Sequence, residues 1–344
     1  MEQRHLGESG LSVSAFGFGT MTVGGRDRFA QMGNIQAQEA SRLIDICLES
    51  GVNLIDTADL YSYGAAEEVL GQALQGRRDK VVLATKAFMR VGPGVHDVGL
   101  SRKHLLQACE NSLRRLQTDY VDLYMAHDPD ALVPMEETLR AFDDLICQGK
   151  VRYIGCSNFS AWHVTKALAI ADRSGYARYI SQQINYSLLA RDAEHELIPM
   201  GLDQGVGAMA WSPLGYGLLT GKFRRDARPT ETRLASLEAP GTIDQERLYR
   251  IVDVLLEISR ERNVSAAQVA LNWVVSKPGV STVLIGARNE RQLRDNLGAA
   301  QWKLTAEEIF RLDGVSATPE PYPNWHHHRF AAERNPPLPV MRLA

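Results

Sequence analysis

The sequence predicts an α/β protein whose strands and helices close into a (β/α)8 TIM barrel. Short β-branched apolar runs alternate with longer stretches of helical periodicity along the whole chain. The runs are apolar throughout, as expected of parallel strands covered on both faces. No low-complexity linker or change of composition divides the 344 residues. We therefore expect one domain over residues 1–344.

Eight runs have the length and composition of barrel strands. They are Val13–Gly17, Val52–Asp56, Val81–Lys86, Val121–His127, Val151–Ser157, Ile180–Tyr186, Val206–Ser212 and Val283–Gly286. Residues 1–18 include an expected N-terminal β-hairpin, Arg4–Phe16, with its turn at Glu8-Ser9-Gly10. An extra helix beyond the eight-fold repeat and a C-terminal tail complete the predicted fold.

Two of the intervening stretches predict amphipathic helices from apolar residues spaced three and four apart. The first has Ala40, Leu43, Ile44, Cys47 and Leu48, and the second has Leu105, Cys109, Leu113 and Leu116. Ser101 stands at the expected N-cap of the second helix, and Ser160 stands at the N-cap of a later helix over 161–175.

Two segments exceed the minimal repeat. Residues 222–241 form a long polar loop after the seventh strand, whose arginines we expect in solvent: Arg224, Arg225, Arg228 and Arg233. The tail, residues 319–344, is rich in proline and aromatic residues, and we expect it to lie on the barrel without regular structure. Its Tyr322, Trp325 and Phe330 suggest an aromatic rim at the substrate mouth, while the triplet His326–His328 has no assigned role.

Composition excludes several classes of function. A net charge of -3 and a pI near 6.3 give no reason to expect nucleic acid or an acidic membrane as a partner. The polar start MEQRHLGESG lacks a signal core, and no run of about 18 apolar residues occurs. The four cysteines are scattered, which predicts buried thiols in a reducing cytoplasm and no metal site. A homo-oligomer remains possible.

The carboxyl ends of barrel strands carry the function in this architecture. Strands two, three and four end in Asp56, Lys86 and His127, and Tyr61 follows Asp56 by five residues. A carboxylate at the tip of a buried strand is costly without a positive partner. The sequence therefore predicts an Asp56–Lys86 pair beneath Tyr61.

This arrangement would prepare Tyr61 to donate a proton. A tyrosine hydroxyl titrates about three units above neutral pH, which corresponds to about 4 kcal/mol. One cation at about 4 Å, at an effective dielectric of about 20, supplies about that much. We therefore expect Tyr61 to act as a general acid and His127 to orient the same substrate oxygen.

With these residues in place, the chain resembles the aldo-keto reductases over nearly its whole length. The matching motifs are GVNLIDTADLYSYGAAEEVLG, VVLATK, VDLYMAHDPD, GKVRYIGCSNF, QQINYSLL, AWSPLGYGLLTGK and VLIGARNERQLRDN. The resemblance implies a catalytic tetrad of Asp56, Tyr61, Lys86 and His127. It also implies reversible reduction of aldehydes and ketones to alcohols, with hydride from NADPH.

The resemblance further implies a set of NADP(H) contacts. The nicotinamide side would contact Gly19, Thr20, Met21, Asp56, Ser157, Asn158, Gln183 and Trp211. The pyrophosphate would lie along Ser212, Pro213, Leu214, Gly217, Leu219 and Lys222. The adenosine end would contact Gly286, Arg288, Gln292 and Asn296. A helix N-terminus with an arginine is a natural anion site, which suits Arg288 beside the 2′-phosphate.

One departure from the family pattern concerns a helix start. The chain has Gly64-Ala65-Ala66-Glu67 where the family has serine before glutamate, which removes an expected N-cap. The glycines at 17 and 19 do not complete a dinucleotide fingerprint, because Thr22 takes the third position.

The same residues are also compatible with two other functions. One is a cofactor-binding regulatory subunit, similar to the reductase-fold β-subunits of potassium channels. The other is a barrel lyase or isomerase that uses the Lys86 amine as a Schiff base. The lyase would leave Arg288 and the Ser157-Asn158 pair without a role.

Overall fold

Eight parallel strands close into a barrel in the computed structural model, which describes residues 1–226, 244–331 and 333. An antiparallel hairpin of β1 (Gln3–His5) and β2 (Ser12–Ser14) precedes it. The barrel strands are β3 (Phe16–Gly19), β4 (Leu54–Asp56), β5 (Val82–Ala87), β6 (Val121–Ala126), β7 (Val151–Ser157), β8 (Tyr179–Asn185), β9 (Gly207–Trp211) and β10 (Val280–Ile285). Closure is between β10 and β3, so the predicted (β/α)8 barrel with its hairpin is confirmed.

Helices follow the strands in turn. They are α1 (Ala37–Glu49), α2 (Ala65–Ala73), α3 (Arg102–Leu116), α4 (Met135–Cys147), α5 (Ala161–Ser174), α6 (Leu197–Gln204), α7 (Gln245–Arg262), α8 (Ala266–Val275), α9 (Glu290–Gly298), α10 (Ala306–Ser316) and α11 (Asn324–Ala331). Both α7 and α8 separate β9 from β10, which provides the predicted extra helix. In the described part of the chain, no helix combines the length and apolar character that a membrane span needs.

The predicted first strand, Val13–Gly17, is wrong because it joins two elements. Val13 belongs to the hairpin strand β2, whereas Gly17 belongs to the barrel strand β3, and the chain passes between sheets at Ala15. Both elements are buried, so the apolar run is continuous and its pattern contains no boundary. The other seven strands lie within three residues of their predicted bounds.

Packing explains which end of the barrel can hold a site. The barrel interior contains Leu54, Ala84, Leu123, Met125, Met209 and Leu284, joined by Leu6 and Val13 from the hairpin. At Gly7 the chain passes so close to the barrel that a Cβ atom would lie 2.3 Å from the Gly205 carbonyl oxygen. The hairpin therefore closes the end where the strands begin, and the other end is left for ligands.

Several local predictions are corrected. The tail is not irregular throughout, because α11 forms in a run without proline or glycine, and Asn324 Nδ2 donates to the His195 carbonyl at 3.1 Å. Position 66 is not an N-cap, since α2 begins at Ala65 after Gly64 in a left-handed conformation (φ 88°). Cys147 is exposed, although the other three cysteines are buried as expected.

The remaining predictions have mixed outcomes. Ser101 caps α3 by accepting from the His104 N–H at 3.3 Å, whereas the Ser160 hydroxyl contacts His163 Nδ1 at 2.7 Å instead of capping. Arg224 and Arg225 are exposed as expected. Arg228, Arg233 and most of the loop 222–241 lie outside the described residues.

Candidate active site

Strand alternation brings the first two predicted residues together. Along β4 and β5 every second side chain points into the barrel, so Leu54 and Ala84 pack inside. Asp56 pairs in register with Ala84, and Lys86 is two residues further along the same inward face. Both charges are buried, and Lys86 Nζ lies 2.8 Å from Asp56 Oδ2.

Lys86 Nζ is the centre of the site. It donates to Asp56 Oδ2, to the Thr57 carbonyl at 2.7 Å and to the Tyr61 hydroxyl oxygen at 3.3 Å. Burial works to lower the pKa of Lys86, but attraction to Asp56 and Tyr61 outweighs it, and the net pKa is raised. The side chain therefore stays an ammonium ion, which speaks against the unprotonated amine that Schiff-base chemistry needs.

A strained turn holds Tyr61 above the lysine. Tyr61 begins a short 3-10 segment in which Ser62 (φ 51°) and Tyr63 (φ 49°) adopt left-handed conformations. The Ser62 hydroxyl donates to the Val23 carbonyl at 2.8 Å and accepts from the Gly25 N–H at 3.0 Å. This serine ties the tyrosine loop to the loop after β3, and the sequence pattern gave no signal for it.

His127 completes the predicted group. Its ring centroid lies 5.9 Å from that of Tyr61, nearly edge-on, and its side chain is buried. Burial, with a smaller contribution from the Lys86 charge, lowers the pKa of His127 to about 3. The imidazole is therefore neutral at working pH, and its Nδ1 has no hydrogen-bond partner among the described residues.

A second polar cluster lies on the outward side of β5 and was not predicted. Thr85 Oγ1 donates to Glu67 Oε1 at 2.6 Å, and Arg115 donates to Glu67 Oε2 at 2.7 Å. Asp59 is fully buried nearby, and neither of its carboxylate oxygens accepts a hydrogen bond from a side chain that the structure describes. Burial first, and the Glu67 charge second, raise the pKa of Asp59 well above its ordinary value.

The predicted nicotinamide-side polar residues form one chain of hydrogen bonds with the tetrad. Gln183 Nε2 donates to Asp56 Oδ1 at 2.8 Å, and the Gln183 carbonyl accepts from the Ser157 hydroxyl at 3.1 Å. Asn158 has a left-handed backbone (φ 60°), and its Nδ2 donates to the His127 carbonyl at 3.0 Å. These contacts connect the ends of β4, β6, β7 and β8.

The loop after β3 and the end of β9 flank this chain. The Thr20 hydroxyl is fully buried and donates to the Asp56 carbonyl at 3.0 Å, while Gly19 and Met21 beside it are half-buried. Trp211 is half-buried, and its indole N–H is buried without a hydrogen-bond partner in the described part of the chain.

The predicted pyrophosphate stretch has unusual backbone geometry. Ser212 (φ 53°), Gly215 (φ 54°) and Gly217 (φ 97°) are left-handed within a few residues. The N–H groups of this run are hydrogen-bonded within it: those of Gly215 and Gly217 donate to the carbonyls of Ser212 and Leu214 at 2.8 and 3.0 Å. Pro213 is buried and Leu214 is half-buried. The side chain of Leu219 is buried in the core, and Lys222 is exposed.

The start of α9 carries the predicted adenosine contacts. Arg288 is exposed and its Nε donates to the Met32 carbonyl at 3.2 Å. Gln292 Oε1 accepts from the Arg288 N–H at 2.9 Å, and Asn296 Nδ2 donates to the carbonyl of the exposed Gly286 at 3.2 Å. Gln292 and Asn296 thus brace the turn that presents the arginine.

These features fit a phosphorylated nicotinamide cofactor. Trp211 at the end of β9 has a buried N–H without a described partner, and the Arg288 cation stands at the start of α9, at the same end of the barrel. A buried indole N–H can hold a polar ring, and a cation at a helix N-terminus can hold a phosphate. The predicted roles of the individual residues stay predictions.

The fold and the buried lysine–aspartate pair beneath a tyrosine define a class of protein: a (β/α)8 barrel with charged and polar side chains grouped at the carboxyl ends of its strands. Within that class, the chain belongs to the aldo/keto reductase family, whose sequence model matches residues 15–317. The family membership expected from the sequence is thereby confirmed, and it implies an oxidoreductase.

The similar proteins fall into two groups by name. The chain is 39% identical over 308 residues to a probable voltage-gated potassium channel subunit beta of Arabidopsis thaliana, covering 87% of this chain and 91% of the relative. A protein of the same name from Oryza sativa is 38% identical over 325 residues, which cover 92% of this chain and 96% of the relative. An uncharacterized oxidoreductase of Bacillus subtilis is 36% identical over 338 residues, 94% and 99% of the two chains.

Proposed function

We propose that this protein is an NADPH-dependent reductase that converts aldehydes or ketones to alcohols, reversibly. The observation that carries the proposal is the position of Lys86 Nζ, 2.8 Å from Asp56 Oδ2 and 3.3 Å from the Tyr61 hydroxyl. A buried ammonium ion at that distance stabilises the phenolate that remains after Tyr61 gives up its proton.

The proposed mechanism assigns one task to each residue. The bound nicotinamide would supply hydride to the carbonyl carbon. Tyr61 donates its hydroxyl proton to the carbonyl oxygen, and Lys86 attracts the resulting phenolate. At 3.3 Å and an effective dielectric of about 20, that attraction is worth about 5 kcal/mol, part of which the Asp56 charge offsets. Neutral His127 can donate a hydrogen bond to the same oxygen without competing as an acid.

The preference for NADPH rests on Arg288. The guanidinium stands at the N-terminal turn of α9, and within the described ranges no carboxylate lies at ion-pair distance from it. A phosphate on the adenosine ribose would provide its charge partner. Ser157, Asn158 and Gln183 are proposed to hold the carboxamide, with Trp211 against the nicotinamide ring.

The direct test is NADPH oxidation, followed by absorbance, with a panel of aldehydes and ketones. Tyr61→Phe keeps the ring but removes the proton, so we expect turnover to fall about 10²–10⁴-fold with cofactor affinity unchanged. Arg288→Met should raise the KM for NADPH and leave the KM for NADH unchanged, with the exposed Arg291→Met as control. Full activity of Tyr61→Phe would refute the mechanism.

A second candidate function is a cofactor-binding regulatory subunit. It is favoured by the two plant relatives, whose printed names describe potassium channel β-subunits. Such a protein would bind NADPH with comparable affinity but turn over no carbonyl at useful rates. Tight cofactor binding measured by fluorescence, with no NADPH consumption across the panel, would select this alternative.

A further inference from the structure

A cavity of about 400 Å3 lies beside the turn that carries Tyr61. It is bounded by the loops that follow β3, β4 and β5, on the end of the barrel where Lys86 emerges. Its lining includes Arg28, Leu60, Tyr63, Met89, Arg90 and Gly92. A volume of this size is at the lower end of small-molecule sites and suits a ligand of modest size.

The cavity combines apolar walls with two guanidinium groups. Leu60 and Met89 are half-buried and offer apolar surface, and the Arg28 guanidinium lies 5.7 Å from the Tyr63 ring centroid. Among the described residues, Arg90 donates through Nη1 alone, to the Gly92 carbonyl at 3.1 Å and the Gly94 carbonyl at 2.8 Å. The other three N–H donors of the guanidinium, one on Nε and two on Nη2, are therefore uncommitted within the described structure.

Neither guanidinium has a charge partner within the described part of the chain. No described carboxylate lies within 4.0 Å of Arg28 or Arg90, whereas Arg26 in the same loop pairs with Glu68 at 3.2 Å. The acidic residue of the Arg90 loop, Asp97, accepts from the Gly94 N–H at 2.7 Å and so stabilises the loop itself. Asp97 also lies beside Gly92, so the cavity has one nearby carboxylate for two guanidinium groups that form no described ion pair.

We propose that this cavity selects carbonyl substrates that carry a carboxylate at the end remote from the carbonyl. The substrate carboxylate would lie on Arg28 and Arg90, and an aryl or alkyl spacer would pack on Leu60 and Met89. The planar fork of a guanidinium matches a carboxylate better than any other side chain does. This inference rests on the proposed function, because carboxylate binding in the cavity would serve to direct the reacting carbonyl toward Tyr61.

The test compares two aldehydes of similar shape, 4-carboxybenzaldehyde and 4-nitrobenzaldehyde. Both are planar, and both have an electron-withdrawing group opposite the carbonyl, but only one is charged at neutral pH. We expect the wild-type KM to be lower for the carboxylate, and to rise with salt as exposed charge pairs are screened. The variant Arg28→Met/Arg90→Met should lose about tenfold in kcat/KM for the carboxylate through KM.

The control variant is Arg26→Met, which removes a neighbouring arginine that is already paired. Arg26→Met should leave kcat/KM unchanged for both substrates. The double variant should keep kcat/KM for 4-nitrobenzaldehyde within about twofold of wild type. An equal loss on both aldehydes, or no loss on either, overturns the proposed carboxylate site while the reductase function stands.

Failure of the reductase function gives a different result. If neither aldehyde is turned over, titration calorimetry with the corresponding alcohol, 4-(hydroxymethyl)benzoate, and NADP+ tests the cavity independently of catalysis. Binding that weakens about tenfold in Arg28→Met/Arg90→Met, but not in Arg26→Met, supports the site. Binding that is absent, or equal in all three proteins, overturns it.

Discussion

Two buried acidic clusters lie on opposite faces of β5, and they solve the same electrostatic problem differently. The inner cluster pairs Asp56 with the fully buried Lys86. The outer cluster holds Glu67 by Arg115 and Thr85 and leaves Asp59 without a cation at hydrogen-bond distance in the described structure. A single strand thus separates a compensated carboxylate from one whose pKa is raised.

The difference shows what each cluster can do. The inner charges are fixed as an ion pair and face the open end of the barrel, where a substrate oxygen can reach Tyr61. The outer cluster faces α2 and α3, and the Asp59 N–H donates to the Lys86 carbonyl at 3.1 Å, so it supports the strand from behind. We therefore expect inner substitutions to change activity and outer substitutions to change stability alone.

The largest effect is expected from Lys86→Met. The change leaves Asp56 buried without its cation, which should cost about 3–5 kcal/mol of unfolding free energy and abolish carbonyl reduction. Chemical denaturation and turnover assays would measure both. The double variant Asp56→Asn/Lys86→Met should recover much of the stability and none of the activity. A double variant as unstable as the single one would show that the pair is not the cause.

His127→Leu should lower the rate of reduction and spare the fold. Removing the donor that orients the carbonyl oxygen should lower kcat/KM about 10²–10³-fold. Because the pKa of His127 is lowered to about 3, the wild-type imidazole is neutral throughout the usual assay range. The pH profile of kcat should therefore lack an inflection near 6.5. An inflection there that disappears in the variant would contradict the neutral imidazole.

Arg115→Met tests the outer cluster. Glu67 is fully buried and, among the described residues, would keep Thr85 alone as a side-chain partner, so we expect a loss of about 2 kcal/mol in unfolding free energy. Cofactor affinity and KM should not change. The adjacent Arg114→Met is the matched control, since Arg114 is exposed and its described hydrogen bonds all lie within its own helix. Equal destabilisation by both variants would show that the contact between Arg115 and Glu67 does not stabilise the fold specifically.

The smallest effect is expected from Asp59→Asn at low pH, where Asp59 is protonated in both the folded and the unfolded chain and the variant changes stability little. The raised pKa of Asp59 means that the folded protein retains a proton that the unfolded chain releases above its ordinary pKa. Wild-type stability should therefore fall as pH rises through that interval, by at most about 1.4 kcal/mol per unit. Asparagine cannot titrate, so the stability of the variant should increase relative to that of wild type from about pH 4 upward. Thermal unfolding across pH measures the difference, and a constant difference would refute the shift.

The inner cluster was predictable because strands obey a simple alternation. Asp56 and Lys86 each end an apolar run, and a period of two places both side chains on the inward face once the strands pair. The same rule identified the ends of seven of the eight barrel strands. It failed at Val13–Gly17, where two buried elements follow one another and the apolar pattern contains no break.

The outer cluster was not predictable from spacing. Glu67 and Arg115 lie on helices α2 and α3, where charged residues ordinarily face water. Only the packing of those two helices against each other and against β5 buries Glu67 and brings Arg115 to it. Ser62 was missed for a similar reason, because its contacts join loops that are distant in sequence. The arginines of the cavity likewise meet only in three dimensions.

The hairpin that closes one end of the barrel also constrains the order in which the chain can fold. The Arg4 side chain donates to the carbonyls of Val275 and Val280 at 2.9 and 2.8 Å, and β3 is hydrogen-bonded to β10. Arg4 thus finds its partners among residues that are synthesised more than 250 positions later. Contacts of such long sequence separation form slowly, because the chain between them must first be ordered. Until β10 arrives, Leu6 and Val13 have no closed interior to occupy, and the growing chain must keep those two side chains from other apolar surfaces.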